Sequence, residues 1–339
     1  TTSSRRPSPA SLPSLSGGQR ASGGRVRFES RLLLGLLTAA TAFAPTAAGA
    51  QGQDLGHKTL GTIGLLAGAQ PQPGVYASTR LVYYAANELV DRDGRSLPVG
   101  LDIDSWADAI GLGATFAVKP LAATWSVSLG IPLLYSRFST EQPQASLDRF
   151  GIADLYLTPA FLGWRLPHVD LVTGYALYAP TGRFEPGGSE NVGRGHWTHQ
   201  FSLGGTAYFD RARAWHLSAL GSYDLNLRKR GVDITRGDTV QVQGGLGGRL
   251  GGIVTLGLVG YGLWQVSDDS GTDLPPVLLG ARDRAFGLGA EVSVLIPPIR
   301  SQVTLRYTHD LSVRSRPLGQ LFFAGLSFAA WRPKPAAPP

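Results

Sequence analysis

The connections between the alternating apolar segments of this chain are short and long in strict turn, and this pattern most constrains its fold. Five are short, near residues 119–122, 165–168, 210–213, 251–252 and 298–300. The others are polar and mostly long, at 90–105, 138–150, 182–196, 229–238, 267–284 and 314–317. A membrane-spanning barrel predicts this order, because tight turns lie at one end and long loops at the other. A soluble β-sandwich gives no reason for it.

The segments between these connections alternate apolar and polar residues over lengths typical of membrane-spanning strands. They are 74–89, 106–118, 123–137, 151–164, 169–181, 197–209, 214–228, 239–250, 253–266, 285–297, 301–313 and 318–331. An even number of strands is the rule for bacterial single-chain barrels. We therefore predict an all-β chain that forms a closed antiparallel transmembrane β-barrel of about 12 strands over residues 74–331, with short periplasmic turns and longer extracellular loops.

Two faces can be separated within several predicted strands. In 214–228, apolar residues at the odd positions, such as Trp215 and Leu217, alternate with His216, Ser218 and Asp224. The polar sets are expected to face the lumen, since a charge on the lipid face near the midplane costs roughly 2–4 kcal/mol. Segment 253–266 is apolar on both faces, which predicts apolar residues in the lumen.

The glycines of segment 244–248 lie inside a strand and do not form a phosphate-binding loop. Glycine within a strand permits bending and the close approach of a neighbouring segment. We therefore expect the lumenal wall at this segment to allow the close approach of a plug or of a neighbouring strand.

The leader carries most of the positive charge. The chain has a net charge of +7, but residues 1–50 hold six Arg and one Glu, and the remainder has 25 basic against 23 acidic residues. The high pI is therefore poor evidence for nucleic-acid binding, and no nucleic-acid partner is expected. The absence of Cys excludes disulfides, thiolate zinc sites and cysteine nucleophiles.

The leader has the order of a secretory signal. Residues 1–24 are rich in Ser, Pro, Gly and Arg, which predicts disorder. Basic residues at 25–31 then precede an apolar run that ends in Ala48-Gly49-Ala50, and this predicts a signal peptide cleaved after Ala50. Residues 51–73 form either a periplasmic extension or a short plug centred on 59–69. Residues 332–339 are a Pro-rich tail.

Ionisable residues on the polar faces are the candidate lumenal or constriction site. They are Arg80, Asp154, Asp170, Asp224, Arg228, Glu291, Arg306 and Asp310. Charges inside a membrane usually pair, so a salt-bridge lattice across a narrow lumen is the expected structural role. A constriction that filters solutes is the functional alternative, and one lattice can serve both roles.

Catalytic and metal sites find little support. His216 and Ser218 share a face, but a hydrolase also needs an orienting partner, and no G-x-S-x-G is present. The acidic stretch 268–273 lacks the spacing and the Glu of an EF-hand, so a solvated extracellular loop is the stronger interpretation. No catalytic residue, metal site or cofactor is predicted.

Several motifs resemble a known family. Gly151-Ile152-Ala153-Asp154-Leu155, Pro180-Thr181-Gly182, Asn191-Val192-Gly193 through Trp197, and PQPGVY at 71–76 are similar to the meta-pathway of phenol degradation proteins. The resemblance runs from about Gln70 to the last strand. It implies an outer-membrane barrel with a transporter-like role in aromatic catabolism, and no catalytic residues.

The same motifs suggest a structure at the loop-side rim of the barrel. Segment 151–155 leaves one long loop, and the next loop begins beyond Pro180. The rim candidates Pro180, Thr181, Gly182 and Asn191 are expected either to order a loop that caps the lumen or simply to form the rim.

Three functions follow as hypotheses. The first is an outer-membrane channel for passive uptake of small hydrophobic or aromatic compounds. The second is a structural barrel without transport, and the third is a barrel hydrolase. The expected partners are outer-membrane lipid and lipopolysaccharide, the barrel-assembly machinery and a small hydrophobic solute, at the bacterial outer membrane. Uptake predicts an apolar pocket or a loosened plug, whereas the structural hypothesis predicts a lumen closed by the charge lattice.

Overall fold

The computed structural model describes residues 54–333, so the predicted signal peptide and most of the tail lie outside the described residues. The strands are β1 Gly74–Val90, β2 Ser96–Leu97, β3 Asp102–Val118, β4 Ala123–Thr140, β5 Ala145–Ile152, β6 Leu155–Arg165, β7 Val169–Ala179, β8 Thr198–Tyr208, β9 Trp215–Asn226, β10 Thr239–Leu250, β11 Val254–Gln265, β12 Arg284–Ile296, β13 Ser301–Arg314 and β14 Arg316–Trp331. None of the helices within 54–333 is long and apolar enough to cross a membrane.

The strands close into one antiparallel barrel, which confirms the predicted fold class. Each long strand pairs with its neighbour in sequence, and β14 pairs with β1 from Val75↔Trp331 to Val90↔Arg316. Twelve strands form the wall, and two further strands, β2 and β5, add to it within residues 54–333. Closure leaves no unpaired sheet edge at the wall, which is the condition for a sheet to cross a bilayer.

Two segments differ from the sequence prediction. Much of the loop predicted at 138–150 is strand, because β4 continues to Thr140 and pairs with β5 as a hairpin from Thr140↔Ala145 to Leu133↔Ile152. The strand predicted at 151–164 is interrupted at residues 153–154, between β5 and β6. The interruption follows from Asp154, whose carboxylate binds groups of another loop and of the lumen instead of lying along a continuous ladder.

The outer face of the barrel is apolar between two aromatic rows. Trp106 of β3 pairs with Tyr135 of β4, and ten residues further along β3 Phe116 pairs with Trp125. Ten residues at a rise of about 3.3 Å and a tilt of about 40° span roughly 25 Å, the height of the apolar band on outer-membrane barrels. The exposed side chains of Ile110 and similar residues fill the band.

Two further features of the outer face lie near the aromatic row of Trp106 and Tyr135, which is the row nearer the long loops. The row continues over the closure, where the rings of Tyr307 and Phe322 lie 4.7 Å apart. Asp108 is a polar exception just inside the row, and it accepts a hydrogen bond from Thr79 Oγ1 at 2.5 Å. The aromatic level is therefore carried from β3 across β1 to β13.

Residues 54–73, here called the lumenal segment, lie inside the barrel. Asp54 is held among the long loops, and the chain then passes the middle of the wall to reach the start of β1 at the end that carries the short turns. The segment contains no α-helix or strand, and its backbone polar groups bond largely to wall side chains. A segment of this kind needs such partners, because buried backbone groups without hydrogen bonds are costly.

Candidate functional site

A charge network holds the lumenal segment at the loop end of the barrel. The Asp54 carboxylate lies 2.8 Å from Lys229 Nζ and 3.5 Å from Arg194 Nη1, and Arg236 donates to the Asp54 carbonyl. Burial raises the pKa of Asp54, but Lys229 and Arg194 outweigh burial and hold the pKa well below its ordinary value. Arg236 also pairs with Asp283 at 3.1 Å. This end of the segment is therefore fixed by buried ion pairs. Removing one partner of such a pair strongly destabilises a protein.

His57 links the segment to the loop above it. Its Nε2 lies 2.9 Å from Asp154 Oδ2, and its Nδ1 lies 2.9 Å from Thr198 Oγ1. The imidazole stacks on Tyr178 with ring centroids 4.9 Å apart, and His196 meets it edge-on at 4.8 Å. Burial lowers the pKa of His196 to about 4, so this imidazole is neutral at pH 7.

An ion pair of the barrel wall holds the middle of the lumenal segment through hydrogen bonds. Arg306 and Glu291 face each other across β13 and β12 at 2.7 Å. Arg306 Nη1 donates to the Gly61 carbonyl at 2.9 Å, and Glu291 accepts the Leu65 N–H at 3.1 Å. A side chain at Gly64 would displace this ion pair, because a Cβ at that position would stand 1.6 Å from the Glu291 carboxylate.

Leu65 fills a recess that glycines leave in the wall. Its side chain is 1% exposed. Added Cβ atoms on Gly245, Gly247 and Gly257 would each come within 2.9 Å of a Leu65 methyl group. The glycines of β10 and β11 therefore make room for the side chain, which explains the glycine-rich stretch inside a strand. Leu60 adds a second apolar contact, with Leu263 of β11.

The segment crosses to the opposite wall near the short turns. Gln70 accepts a hydrogen bond from Thr124 Oγ1 of β4 at 2.6 Å and donates to the Phe161 carbonyl of β6, also at 2.6 Å. Gly163 leaves the space that the Gln70 side chain occupies, since a Cβ there would lie 2.8 Å from it. The segment thus leaves the lumen beside β4 and β6 rather than along the β8–β13 wall.

The lumen is filled on one side only. Inward residues of β9, β10 and β13, such as Ser218, Gln243 and Thr308, are buried under the lumenal segment. At the same depth, inward residues of β1, β3 and β4 keep partial exposure, among them Ala109, Gly111 and Gly130. Successive residues of a strand point to opposite faces of the sheet, so these positions face away from the apolar outer surface. Their exposed area therefore borders space inside the barrel. We call this space the passage.

Mostly small or weakly polar residues line the passage, and Arg80 is the charged side chain among them. The inward residues that do so are Ser78, Arg80, Val82, Tyr84, Ser105, Ala107, Ala109, Gly111, Gly113, Ser128, Gly130, Pro132, Leu134 and Ser136. At the loop end, Leu89, Val99 and Leu101 form an apolar cluster with Phe138 packed against it. This buried cluster packs the first long loop against the loop end of the wall.

The predicted rim residues contact one another at the loop end of the barrel. Asp154 accepts the Gly182 N–H at 2.9 Å and the Arg194 N–H at 2.6 Å. Burial raises the pKa of Asp154, but the hydrogen bonds from His57 and from the Arg194 backbone lower it further, so the group is a carboxylate. Thr181 Oγ1 accepts the Leu155 N–H at 3.1 Å, and Pro180 is buried beside it. The two motif segments are therefore joined through two side chains, Asp154 and Thr181.

Asn191 shapes the same loop from within. Its Oδ1 accepts the Glu185 N–H at 2.8 Å, and its Nδ2 donates to the Glu185 carbonyl at 2.7 Å. Gly182 and Gly193 lie so close that a Cβ on Gly182 would stand 2.8 Å from the Gly193 Cα. The glycines of both motifs thus serve close backbone contact.

The remaining predicted lumenal residues occupy separate places. Asp170 is buried near the short turns and pairs with Arg213 and with Tyr208 Oη at 2.9 Å. Asp224 accepts hydrogen bonds from Gln200 and Gln241, at 2.7 and 2.9 Å. Asp310 accepts from Tyr261 Oη at 2.7 Å and from the Gly319 N–H at 2.9 Å.

The structure gives local groups rather than one continuous lattice, and it corrects one position. The only predicted lumenal residues that pair with each other among those described are Glu291 and Arg306. Arg228 is not lumenal, because β9 ends at Asn226. Its side chain is 70% exposed and lies 3.4 Å from Asp233 in the following loop.

The structure does not bring His216 and Ser218 together as the hydrolase hypothesis requires. His216 Nε2 has no hydrogen-bond partner, and Ser218 Oγ instead bonds to Thr206 and to the Gly68 N–H, each at 2.8 Å. The acidic loop is held by protein groups, since Asp268 pairs with Arg282 at 2.7 Å. Across residues 54–333, no group of three or more His, Asp or Glu side chains is arranged for a metal ion.

Sequence reasoning missed the residues that anchor the lumenal segment. They are Asp54, His57, Lys58 and Leu65 on the segment, and Arg194, His196, Lys229, Arg236, Asp283 and Arg316 on the wall and loops. A signal was present in the spacing of Gly61, Gly64 and Gly68, each of which touches the wall. The partners across the barrel come from distant loops, which no local pattern connects.

Comparison with known proteins agrees with the barrel fold. The family described as "Putative MetA-pathway of phenol degradation" matches residues 86–325. A COG4313 outer membrane channel from Pseudomonas putida F1 is 13% identical, with a TM-score of 0.67, over 80% of this chain and 99% of that one. This likeness shows the shared barrel fold. No curated protein sequence matches the chain.

Two other barrels are more distant. The translocator domain of autotransporter NalP from Neisseria meningitidis is 14% identical with a TM-score of 0.43, over 76% of this chain and 89% of that one. The CymD monoaromatic hydrocarbon channel is 11% identical with a TM-score of 0.40, over the same shares of the two chains. Scores this low relate neither protein's role to this chain.

Proposed function

We propose that this chain, which belongs to the family described as "Putative MetA-pathway of phenol degradation", is an outer-membrane channel for passive uptake of small hydrophobic or aromatic compounds. The two aromatic rows and the apolar band between them fit an outer-membrane bilayer. The predicted signal peptide fits export to that location.

One observation carries the proposal: the lumenal segment packs against one side of the barrel and leaves the β1–β3–β4 side accessible. A twelve-stranded barrel has room for little beyond its own side chains and one inserted segment. The small residues Ala109, Gly111 and Gly130 leave the space of the passage free. The passage therefore suits small solutes and excludes large ones.

The chemistry of the lining supports apolar or aromatic cargo. Tyr84 of β1 and Tyr156 of β6 project into the barrel. An aromatic solute can exchange contacts with these rings as it descends, since aromatic pairs attract each other in offset or tilted geometry. Weak successive contacts favour passage over retention.

The experiment is uptake by cells that carry a cytoplasmic enzyme able to trap the compound. Labelled phenol and toluene are supplied to cells with and without the gene, and a sugar of similar size is the control solute. We expect a gene-dependent rise for phenol and toluene and none for the sugar. Equal uptake in both strains, with the barrel verified in the outer membrane, would overturn the proposal.

A structural barrel without transport is the second candidate. The ion pairs of Asp54 with Lys229 and of Arg236 with Asp283 favour it, because they fix the lumenal segment firmly at the loop end. Conductance separates the two candidates. A reconstituted structural barrel passes no current, whereas a channel with the passage passes a small, steady one.

A further inference from the structure

The passage contains one charged wall residue, Arg80. It projects inward from the middle of β1, paired with Ala109 of β3 and Gly325 of β14. Leu81 next to it is exposed on the outer face, which fixes the opposite direction for Arg80. No other residue on the inward faces of β1, β3 and β4 is ionised at neutral pH.

Arg80 has no carboxylate partner. No ion pair joins it to any acidic group within residues 54–333, and its side chain is exposed although it points into the barrel. The nearby acids are engaged elsewhere, Glu291 by Arg306 and Asp224 by two glutamines and the charge of Lys58. Unpaired charge inside a membrane is costly and rare, and it usually marks a path for ions or solutes.

Two tyrosine hydroxyls lie within reach of the Arg80 charge. Arg80 lies within electrostatic reach of the hydroxyls of Tyr156 and Tyr178, whose ring centroids are 4.8 Å apart. Gly130 faces Tyr156 across β4 and β6, so no side chain from that strand position covers the ring. A cation and an inward-facing aromatic ring in one lumen match a small ligand with a carboxylate and a ring.

We propose that Arg80 makes the passage selective for small anions, and for aromatic carboxylates in particular, over cations. This inference rests on the proposed channel function and names the solute class that the channel prefers. A guanidinium on the wall of a pore attracts anions and repels cations of the same size, as charged side chains do in selective pores. Arginine also offers two parallel N–H donors to a carboxylate, which an ammonium group does not.

The test is conductance of the purified full chain in planar bilayers with a KCl gradient. We expect the reversal potential to show anion preference, which Arg80→Gln reduces and Arg80→Glu reverses. Arg80→Lys keeps the charge and should keep the preference, which separates a charge effect from a folding defect. The matched control is Arg95→Gln, which removes an equal charge from a side chain that is 80% exposed in the first extracellular loop.

A second measurement uses three solutes of one shape. Benzoate, benzyl alcohol and benzylamine are compared by permeation into liposomes that contain the protein. We expect benzoate to enter faster than benzylamine by about threefold or more, and Arg80→Gln to bring the two rates together. A current without charge preference, or a preference unchanged in Arg80→Gln, overturns this inference and leaves the channel intact. A protein that passes no current overturns the channel itself, and this inference falls with it.

Discussion

Deleting the Leu65 side chain should release the lumenal segment from the wall. Leu65 is 1% exposed and sits in a recess formed by glycines of β10 and β11, whose backbone cannot move to fill a void. A Leu→Ala change at such a site costs about 2–5 kcal/mol, because a cavity remains where the side chain was. Since 1.4 kcal/mol is a factor of ten, the undocked fraction of Leu65→Ala should rise by roughly 30-fold or more.

The assay uses the absence of cysteine from the chain. Ser218 is buried beneath the lumenal segment and accepts the Gly68 N–H at 2.8 Å, so Ser218→Cys introduces a thiol that is covered while the segment is docked. The rate of maleimide labelling then follows the undocked fraction, provided that opening and closing are faster than labelling. Leu65→Ala should accelerate labelling by roughly 30-fold.

A matched deletion on the outer face controls for general loosening. Leu246 lies on β10 beside the recess but is exposed on the outside, so Leu246→Ala removes the same atoms without touching the lumenal segment. Its labelling rate should equal that of the parent. Equal rates for Leu65→Ala and Leu246→Ala would refute the claim that Leu65 anchors the segment.

Two further predictions concern the ion pair and the loop end. Arg306→Met leaves Glu291 buried without its partner, so the free energy of unfolding in urea should fall by about 3–5 kcal/mol, and adding Glu291→Gln should restore part of it. An equal loss in the double variant would contradict this. Burial depresses the pKa of His196 to about 4 in the folded state, so this residue costs stability as pH falls from about 6.5 toward 4. His196→Gln should remove that part of the fall in melting temperature, whereas a parallel fall in both proteins would argue against it.

The barrel itself could be predicted because the information is local. In β9 the exposed Trp215, Leu217 and Tyr223 alternate with the buried His216 and Asp224, as the period of two requires. The alternation of short and long connections predicted which end of the barrel carries the tight turns and which carries the long loops. These signals depend on neighbouring residues alone, so one sequence was enough to read them.

The interior could not be predicted to the same degree because it depends on distant pairs. The carboxylate of Asp154 interrupts a strand by bonding to His57, Gly182 and Arg194, which lie far away in the chain. The alternation in sequence continues to Arg228 and predicts a lumenal side chain there. β9 nevertheless ends two residues earlier, and Arg228 pairs with Asp233 in the following loop. Neither the strand interruption at Asp154 nor the end of β9 can be seen in the local sequence pattern.

The lumenal segment illustrates the same limit. Its composition allowed either a periplasmic extension or a plug, since small residues and glycines suit both. The glycines of β10 and β11 pointed to a close neighbour without naming it, and Leu65 proves to be that neighbour. Which half of the lumen stays accessible follows only from the side on which the segment packs.

The most direct test of the account is to narrow the passage without touching the lumenal segment. Ala109 faces the passage and Ile110 faces outward on the same strand, so Ala109→Trp and Ile110→Trp place one added bulk on opposite sides of the wall. Conductance of the full chain in planar bilayers should fall to a small fraction for Ala109→Trp and stay unchanged for Ile110→Trp. Parent-like conductance in Ala109→Trp would contradict a passage along β1, β3 and β4.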